Sequence, residues 1–376
     1  MRGPTVPDLN PITAVTAADP YPYYAALVAD RPFGRDEDLG LWVAADAASV
    51  SAVLGEPALR VRPPAAPVPA GIVGTPAGEV FGRLVRMTDG EPQRRLKRAV
   101  VAALGTADAD RVAALTAERT AYAIKRQASH RDLMFGVPAQ VVAVLSGLDD
   151  PAADEASALI ADFVQCIPAT ATPEQNARAA TAAAALRDLL GPALDARGDG
   201  LLAELVRAAG PDAEPAAVLA NGLGLLSQTF DATAGLIGNT LVALARDASL
   251  RGSAGMRAVV AEVARHDAPI QNTRRFAAEP VVVAGAELAA GDAILVVLAA
   301  ANRDPAVNEA PAEFRTDRAD PAVFTFGAGA HGCPGRQIAT TIAAAVVDAL
   351  LSAGAAPAAA GPVTYLPLAN ARIPAL

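Results

Sequence analysis

The sequence predicts a mainly α-helical fold with small β-sheets. Three observations carry this. Ala is abundant while aromatic residues make up only 4% of the chain, a composition suited to closely packed helices. Residues 214–247 form one long run, apolar on nearly every side, as a central helix must be. Runs of β character, such as Leu-Trp-Val-Ala at 41–44 and Ala-Ile-Leu-Val-Val-Leu at 293–298, are few and short.

The elements follow in order. Residues 1–20 are Pro-rich and read as extended, and 21–29 as a short helix. A strand is expected at 41–44, then a helix at 46–54 stopped by Gly55. Trp42, the only tryptophan, reads as core. From Arg62 to Gly82, prolines and glycines interleave in a long loop of the kind that carries function. Asp89 can cap a helix whose first turn holds Glu91 and Pro92. Four basic side chains follow in five positions: Arg94, Arg95, Lys97 and Arg98. A solvated helix face is the plain reading of that cluster. Residues 105–220 read as several Ala-rich helices, with breaks near 149–151, 168–173 and 198–200. After the long run at 214–247 comes a helix carrying Glu262-Val263-Ala264-Arg265. The segments 281–288 and 293–298 read as a hairpin-like β pair. The last stretch, 363–376, reads as a small β element.

Composition sets limits. The chain of 376 residues is 52% hydrophobic, enough to bury a large core, and its net charge of −9 argues against nucleic acid as a partner. Two cysteines, Cys166 and Cys333, are too few for a disulfide framework. Cys166 lies in an apolar setting and reads as core. No window reaches the roughly 18 apolar residues of a membrane span. The N-terminus has no apolar signal region, so a soluble, cytoplasmic protein is expected.

The other cysteine sits in Phe326-Gly327-Ala328-Gly329-Ala330-His331-Gly332-Cys333-Pro334-Gly335-Arg336. Its glycines demand a tight turn and a close approach to something. An apolar helix-like run begins at Arg336, so Cys333 stands just before a helix N-terminus. Unpaired amides and the positive end of the helix dipole favour a thiolate there, and a thiolate binds metal. The pattern Phe-Gly-x-Gly-x-His-x-Cys-x-Gly resembles the haem-ligand loop of the cytochrome P450 family.

The resemblance spans nearly the whole chain and implies one P450 domain over 1–376, with β-rich parts near 40–60, 280–300 and 363–376. It implies haem b, with Cys333 as the iron ligand, Phe326 beside the sulfur, Gly327 and Gly335 shaping the loop, and His331 meeting a propionate. Gln93 and Lys97 stand where the family has a His and an Arg that contact a propionate, and Arg275 matches a third propionate-binding position. Glu262 and Arg265 match a buried structural ion pair that Arg318 completes. The loop at 62–82 lies over the distal haem face, which makes Ile72 and Val73 substrate contacts. Pro168 to Pro173 matches a mobile lid. Ile270, Gln271 and Asn272 are expected to pass the haem edge and face substrate.

The long helix departs from the family pattern. Where relatives carry Ala-Gly-x-(Asp/Glu)-Thr-Thr, this chain has Gln228, Thr229, Phe230, Asp231, Ala232 and Thr233. Asp231 keeps the acid, but Ala232 replaces the Thr whose hydroxyl orders the proton-delivering water. At about 100° per residue, Gln228 and Ala232 share a face, flanked by Asp231 and Thr229. Gln228, Thr229 or a substrate group is expected to organise that water. The alternative is that both side chains serve the helix itself.

The expected activity is monooxygenation: hydroxylation or O-demethylation of a small organic or natural-product substrate. It would use O2 and electrons from an external ferredoxin and ferredoxin reductase, in a monomer. Competing readings are peroxide-driven oxidation or radical aromatic coupling at the same haem, and a non-catalytic P450-like partner protein. The intact Cys333 loop and the Glu262/Arg265 pair argue against the last.

Overall fold

Helices begin where the sequence supplies a polar cap. Asp46, Thr75, Asp108, Ser129, Asp149 and Thr172 each accept a hydrogen bond from the amide three residues on. The structure is a computed structural model that describes residues 9–168, 170–253, 255–357 and 362–376. The first half holds α1 (Tyr21–Asp30), α2 (Ala47–Gly55), α3 (Pro76–Phe81), α4 (Gly90–Gly105), α5 (Ala109–Lys125), α6 (His130–Leu145) and α7 (Asp150–Phe163). The second half holds α8 (Pro173–Leu190), α9 (Leu201–Ala209), α10 (Pro215–Arg246), α11 (Leu250–Ser253), α12 (Met256–His266), α13 (Leu298–Ala301) and α14 (Arg336–Ser352). The strands are β1 (Phe33–Asp36), β2 (Leu41–Ala44), β3 (Leu59–Arg60), β4 (Thr273–Ala277), β5 (Val281–Val283), β6 (Ala286–Leu288) and β7 (Ala293–Val296).

α10 runs through the centre and packs against α6, α12 and α14. Two of its glycines are notches for neighbours. A Cβ on Gly235 would come within 2.9 Å of Pro269, and one on Gly238 within 2.6 Å of Met134 and Pro374. Buried Asn239 closes the same contact by donating to the carbonyls of Asp267, at 2.8 Å, and Arg372, at 3.2 Å. Among the described residues no helix is long and apolar enough to cross a membrane.

Several expectations change. Residues 281–288 do not pair with 293–298. β5 and β6 pair with each other around Ala284 and Gly285, both at positive φ. β7 instead joins a five-stranded sheet of order β1-β2-β7-β4-β3, parallel to β2 and antiparallel to β4. Its apolar run needs two flanking strands, which a hairpin cannot give. The expected β element at 363–376 reduces to single bridges, Tyr365 with Pro374 and Ala371 with Ile270. Thr13–Thr16 form a 3-10 turn within the stretch expected to be extended, whose first eight residues lie outside the described ones. The loop at 62–82 contains a 3-10 turn at Ala70–Ile72 and α3. Trp42 is only half-buried, stacked on Phe33 with its indole N–H on Asp292 at 3.0 Å.

Candidate active site

The loop before α14 is shaped by backbone that only glycine tolerates. Gly327 and Gly329 adopt φ of 65° and 62°, and a Cβ on Gly329 would meet the Leu54 carbonyl at 2.9 Å. The Cys333 amide donates to the Phe326 carbonyl at 2.7 Å, closing the turn. Cys333 itself is exposed. Desolvation by its surroundings pushes the thiol up, while the amides of Gly335 and Arg336 and the charge of Lys97 favour the thiolate. The Arg336 guanidinium lies 4.9 Å over the Phe326 ring, fixing Phe326 beside the loop.

α4 lays polar side chains along this loop. Buried Gln93 donates to the Ala330 carbonyl at 3.1 Å, and Lys97 Nζ donates to the Gly332 carbonyl at 2.6 Å. Asp89 precedes α4 but makes no capping bond. Its carboxylate is taken by His331, at 3.0 Å, and by the Val61 amide, at 3.1 Å. Burial alone would raise Asp89, yet these bonds hold it below the ordinary carboxylate range. Arg275 on β4 is 5% exposed, and its hydrogen bonds go to the Arg274 carbonyl and, at 3.5 Å, the Thr273 hydroxyl. Among the described residues neither Arg275 nor Lys97 has an acidic partner within ion-pair distance.

α10 provides the opposite wall. Residues 217–227 and 233–242 are buried apart from Leu219, while Gln228, Thr229, Asp231 and Ala232 are half-buried. Those four share an arc of about 160° on the helix, so they form one stripe. The Thr229 hydroxyl is spent inside the helix, donating to the Leu225 carbonyl at 2.9 Å. Gln228 folds back over Gly224, where a Cβ would lie 2.9 Å from its Nε2. Ala232 presents only a methyl. Burial raises Asp231 above the ordinary carboxylate range, opposed by the charges of Arg86 and Arg131. Arg86 lies within electrostatic reach of both Asp231 and Cys333. The stripe and the sulfur therefore both stand within electrostatic reach of one guanidinium.

Other predicted residues stand elsewhere. Glu262 accepts from Arg265 at 2.5 Å and from Arg318 at 3.2 Å, all three buried. Gln271 and Asn272 turn into the fold rather than toward substrate. Gln271 is fully buried and donates to the Ala268 carbonyl at 2.6 Å, and Asn272 donates to the Ala369 carbonyl at 2.8 Å. Both satisfy backbone where the chain leaves α12 for β4, and a side chain with no accessible surface cannot touch a ligand. Ile72 is likewise packed in the core at 1% exposure, whereas Val73 is 64% exposed to solvent. Ile270 is half-buried. The segment expected to be a lid includes Ala169, which lies outside the described residues.

Sequence reasoning missed Arg86 and Asn221. The signal was present: each is a single polar residue inside an otherwise apolar run, Leu84-Val85-Arg86-Met87 and Leu219-Ala220-Asn221-Gly222-Leu223.

Comparison with known proteins decides the family. The Cytochrome P450 family profile matches residues 255–353, from α12 through the Cys333 loop and α14. The chain is 29% identical over 374 residues to cytochrome P450 monooxygenase PikC of Streptomyces venezuelae, covering 93% of this chain and 87% of PikC. It is 31% identical over 214 residues to 6-deoxyerythronolide B hydroxylase of Saccharopolyspora erythraea, covering 54% of this chain and 52% of that one. Its fold superposes on the crystal structure of CalO2 with a TM-score of 0.85 at 23% identity, covering 98% of both chains.

The chain belongs to the cytochrome P450 family. It is a haem-thiolate P450 monooxygenase, an oxidoreductase whose cofactor is haem b. The donor set of this P450 fits that group. An exposed sulfur backed by helix amides matches an iron ligand, and two cations with no acidic group at ion-pair distance among the described residues, buried Arg275 and half-buried Lys97, match its two carboxylates. Among the described residues no three His, Cys, Asp or Glu side chains converge, so one thiolate is what the chain itself offers a metal.

Proposed function

We propose that this P450 hydroxylates or O-demethylates a functionalised natural product or phenolic compound, using electrons from an external ferredoxin and ferredoxin reductase. The carrying observation is the Cys333 loop, closed by the Cys333 amide on the Phe326 carbonyl, with the half-buried stripe of α10 and the sulfur both within electrostatic reach of Arg86. Cys333 would hold the iron, Arg275 and Lys97 the two haem carboxylates, and Gln93 the loop. Bound haem supplies oxygen activation, and the thiolate's electron donation favours O–O cleavage. The chain's own part is proton management. Asp231, whose pKa burial raises above the ordinary carboxylate range, is the stripe's acid and passes protons along it. The Gln228 amide orients water on the face where Ala232 offers no hydroxyl. Arg94, Arg95 and Arg98 lie exposed on α4 and suit the docking of an acidic donor protein. We take residues 1–376 as one domain acting as a cytoplasmic monomer.

The test is a reduced carbon-monoxide spectrum of haem-supplied protein and of C333A. The characteristic thiolate band is expected in the first and lost in the second. Its persistence in C333A overturns the reading. Turnover of a natural-product panel is then compared with NAD(P)H plus redox partners and with peroxide alone. Activity confined to peroxide favours the radical or peroxide-driven alternative, which the missing hydroxyl at position 232 keeps open.

A further inference from the structure

The segment between α3 and α4 is pinned to the central helix at an unusual place. Asn221 on α10 accepts from the Val85 amide at 2.9 Å and donates to the Arg83 carbonyl at 2.9 Å. Leu84 packs over Gly224, where a Cβ would lie 3.0 Å from it. Val85 is buried and Leu84 lies at Gly224, one turn before Gln228, so the clamp brings half-buried Arg86 next to the α10 stripe. Among the described residues the Arg86 guanidinium makes no hydrogen bond and no ion pair. Burial pushes its pKa down, and only the more distant charges of Asp231 and Cys333 offset that.

A charge count shows what is missing. Three cations stand at this end of the molecule: Arg275, which is buried, and Arg86 and Lys97, which are half-buried. The cofactor brings two carboxylates. Lys97 and Arg275 lie on the Cys333 side, Lys97 against the Gly332 carbonyl and Arg275 with Asp89 as its acidic neighbour. His331 already has Asp89. Arg86 is the remaining cation, held on the α10 side, and a planar five-donor fork is suited to a second, separate carboxylate.

We propose that Arg86 is the specificity anchor of the pocket, binding the carboxylate of an anionic substrate and so selecting carboxylic acids over neutral analogues. This rests on the haem-thiolate reading above and narrows its substrate class. The clamp by Asn221 holds the backbone of Arg86 in place, so little order need be created on binding. A neutral substrate would leave the half-buried guanidinium unmatched, which is the source of discrimination.

The test uses full-length holoprotein and three acids, cinnamate, naphthoate and decanoate, each against its primary carboxamide. Dissociation constants are read from the haem spectral shift and checked by calorimetry. Wild type is expected to bind at least one acid about tenfold or more tighter than its amide, the range of a charge-assisted hydrogen-bond pair. R86M should bring that ratio to about one while keeping haem content and the thiolate carbon-monoxide band, and R86K should retain part of it. A panel in which no acid exceeds its amide overturns the proposal. So does an R86M protein that keeps the preference, or one that loses haem, which would place Arg86 on a haem carboxylate instead. Failure of the underlying reading is separately visible as a wild type without the thiolate band.

Discussion

Lys97 Nζ donates to the carbonyl of Gly332 at 2.6 Å, one residue before the Cys333 sulfur. A half-buried ammonium thereby ties α4 to the thiolate loop. Burial lowers its pKa and the sulfur's charge supports it. Lys97→Ala is expected to weaken haem retention by about tenfold, the loss of one charge-assisted bond. Lys97→Arg should largely keep it. Haem transfer to an acceptor protein measures both, and an unchanged K97A rate would remove Lys97 from haem binding.

Thr229 and Gln228 differ in what they have left to give. The Thr229 proton is committed to the Leu225 carbonyl, so Thr229→Val should leave product formed per NAD(P)H consumed near wild type. Gln228→Ala should lower that ratio several-fold, the scale of losing a positioned proton-transfer group. The opposite pattern would assign the water to Thr229.

The Glu262–Arg265–Arg318 cluster is a knot of buried side chains, with Arg318 at its edge. Arg265 also donates to the Pro311 and Glu313 carbonyls, each at 2.9 Å, and Arg318 to the Ala310 carbonyl. Glu262→Gln leaves two buried guanidinium groups without their counter-charge. A loss of about 3–5 kcal/mol in unfolding free energy is expected, read by denaturant titration of the holoprotein. A loss under about 1 kcal/mol, the worth of a solvated surface pair, would contradict the burial seen here.

His266 makes stability depend on pH. Its Nε2 meets the Ala312 carbonyl at 2.9 Å and its Nδ1 faces Arg303 at 3.0 Å. The proton thus belongs on Nε2, and a second proton would confront a guanidinium. Burial first, and then Arg303, lower the pKa to about 4 from 6.5. Between those values the unfolded chain takes up a proton and the folded one does not. Stability therefore rises with pH across this window and is lost as pH falls toward 4, by about 2 kcal/mol after screening. His266→Gln keeps a donor and an acceptor without titrating, so its melting temperature should vary less between pH 4 and 6.5. An equally steep variant would assign the effect elsewhere.

How far the sequence could be read depended on how local each signal was. The Cys333 loop and the Glu262/Arg265 spacing are contiguous motifs, and α10 is a single unbroken run. Each was legible because its meaning lies within a few turns of chain. β7 was misread because its partner β2 is some 250 residues away, and a neighbouring apolar run offered a local substitute. Gln271 and Asn272 looked like polar handles because sequence cannot tell a side chain turned toward a pocket from one serving a carbonyl. Asp89 looked like a helix cap for the same reason. Its real partner, His331, comes from a loop 242 positions later.

Gly235 and Gly238 give the central helix a fixed azimuth. Pro269 at the first and Met134 with Pro374 at the second occupy the space any added carbon would need, so this face of the rod is keyed to its neighbours. The chemistry-bearing turn one to two turns upstream inherits that orientation without contributing to it. Positions 228 and 232 are therefore free to change identity while the axis beneath them stays still. Exchanging the residues there would retune proton delivery without refolding the scaffold, which makes this turn the natural place to redirect the oxidation.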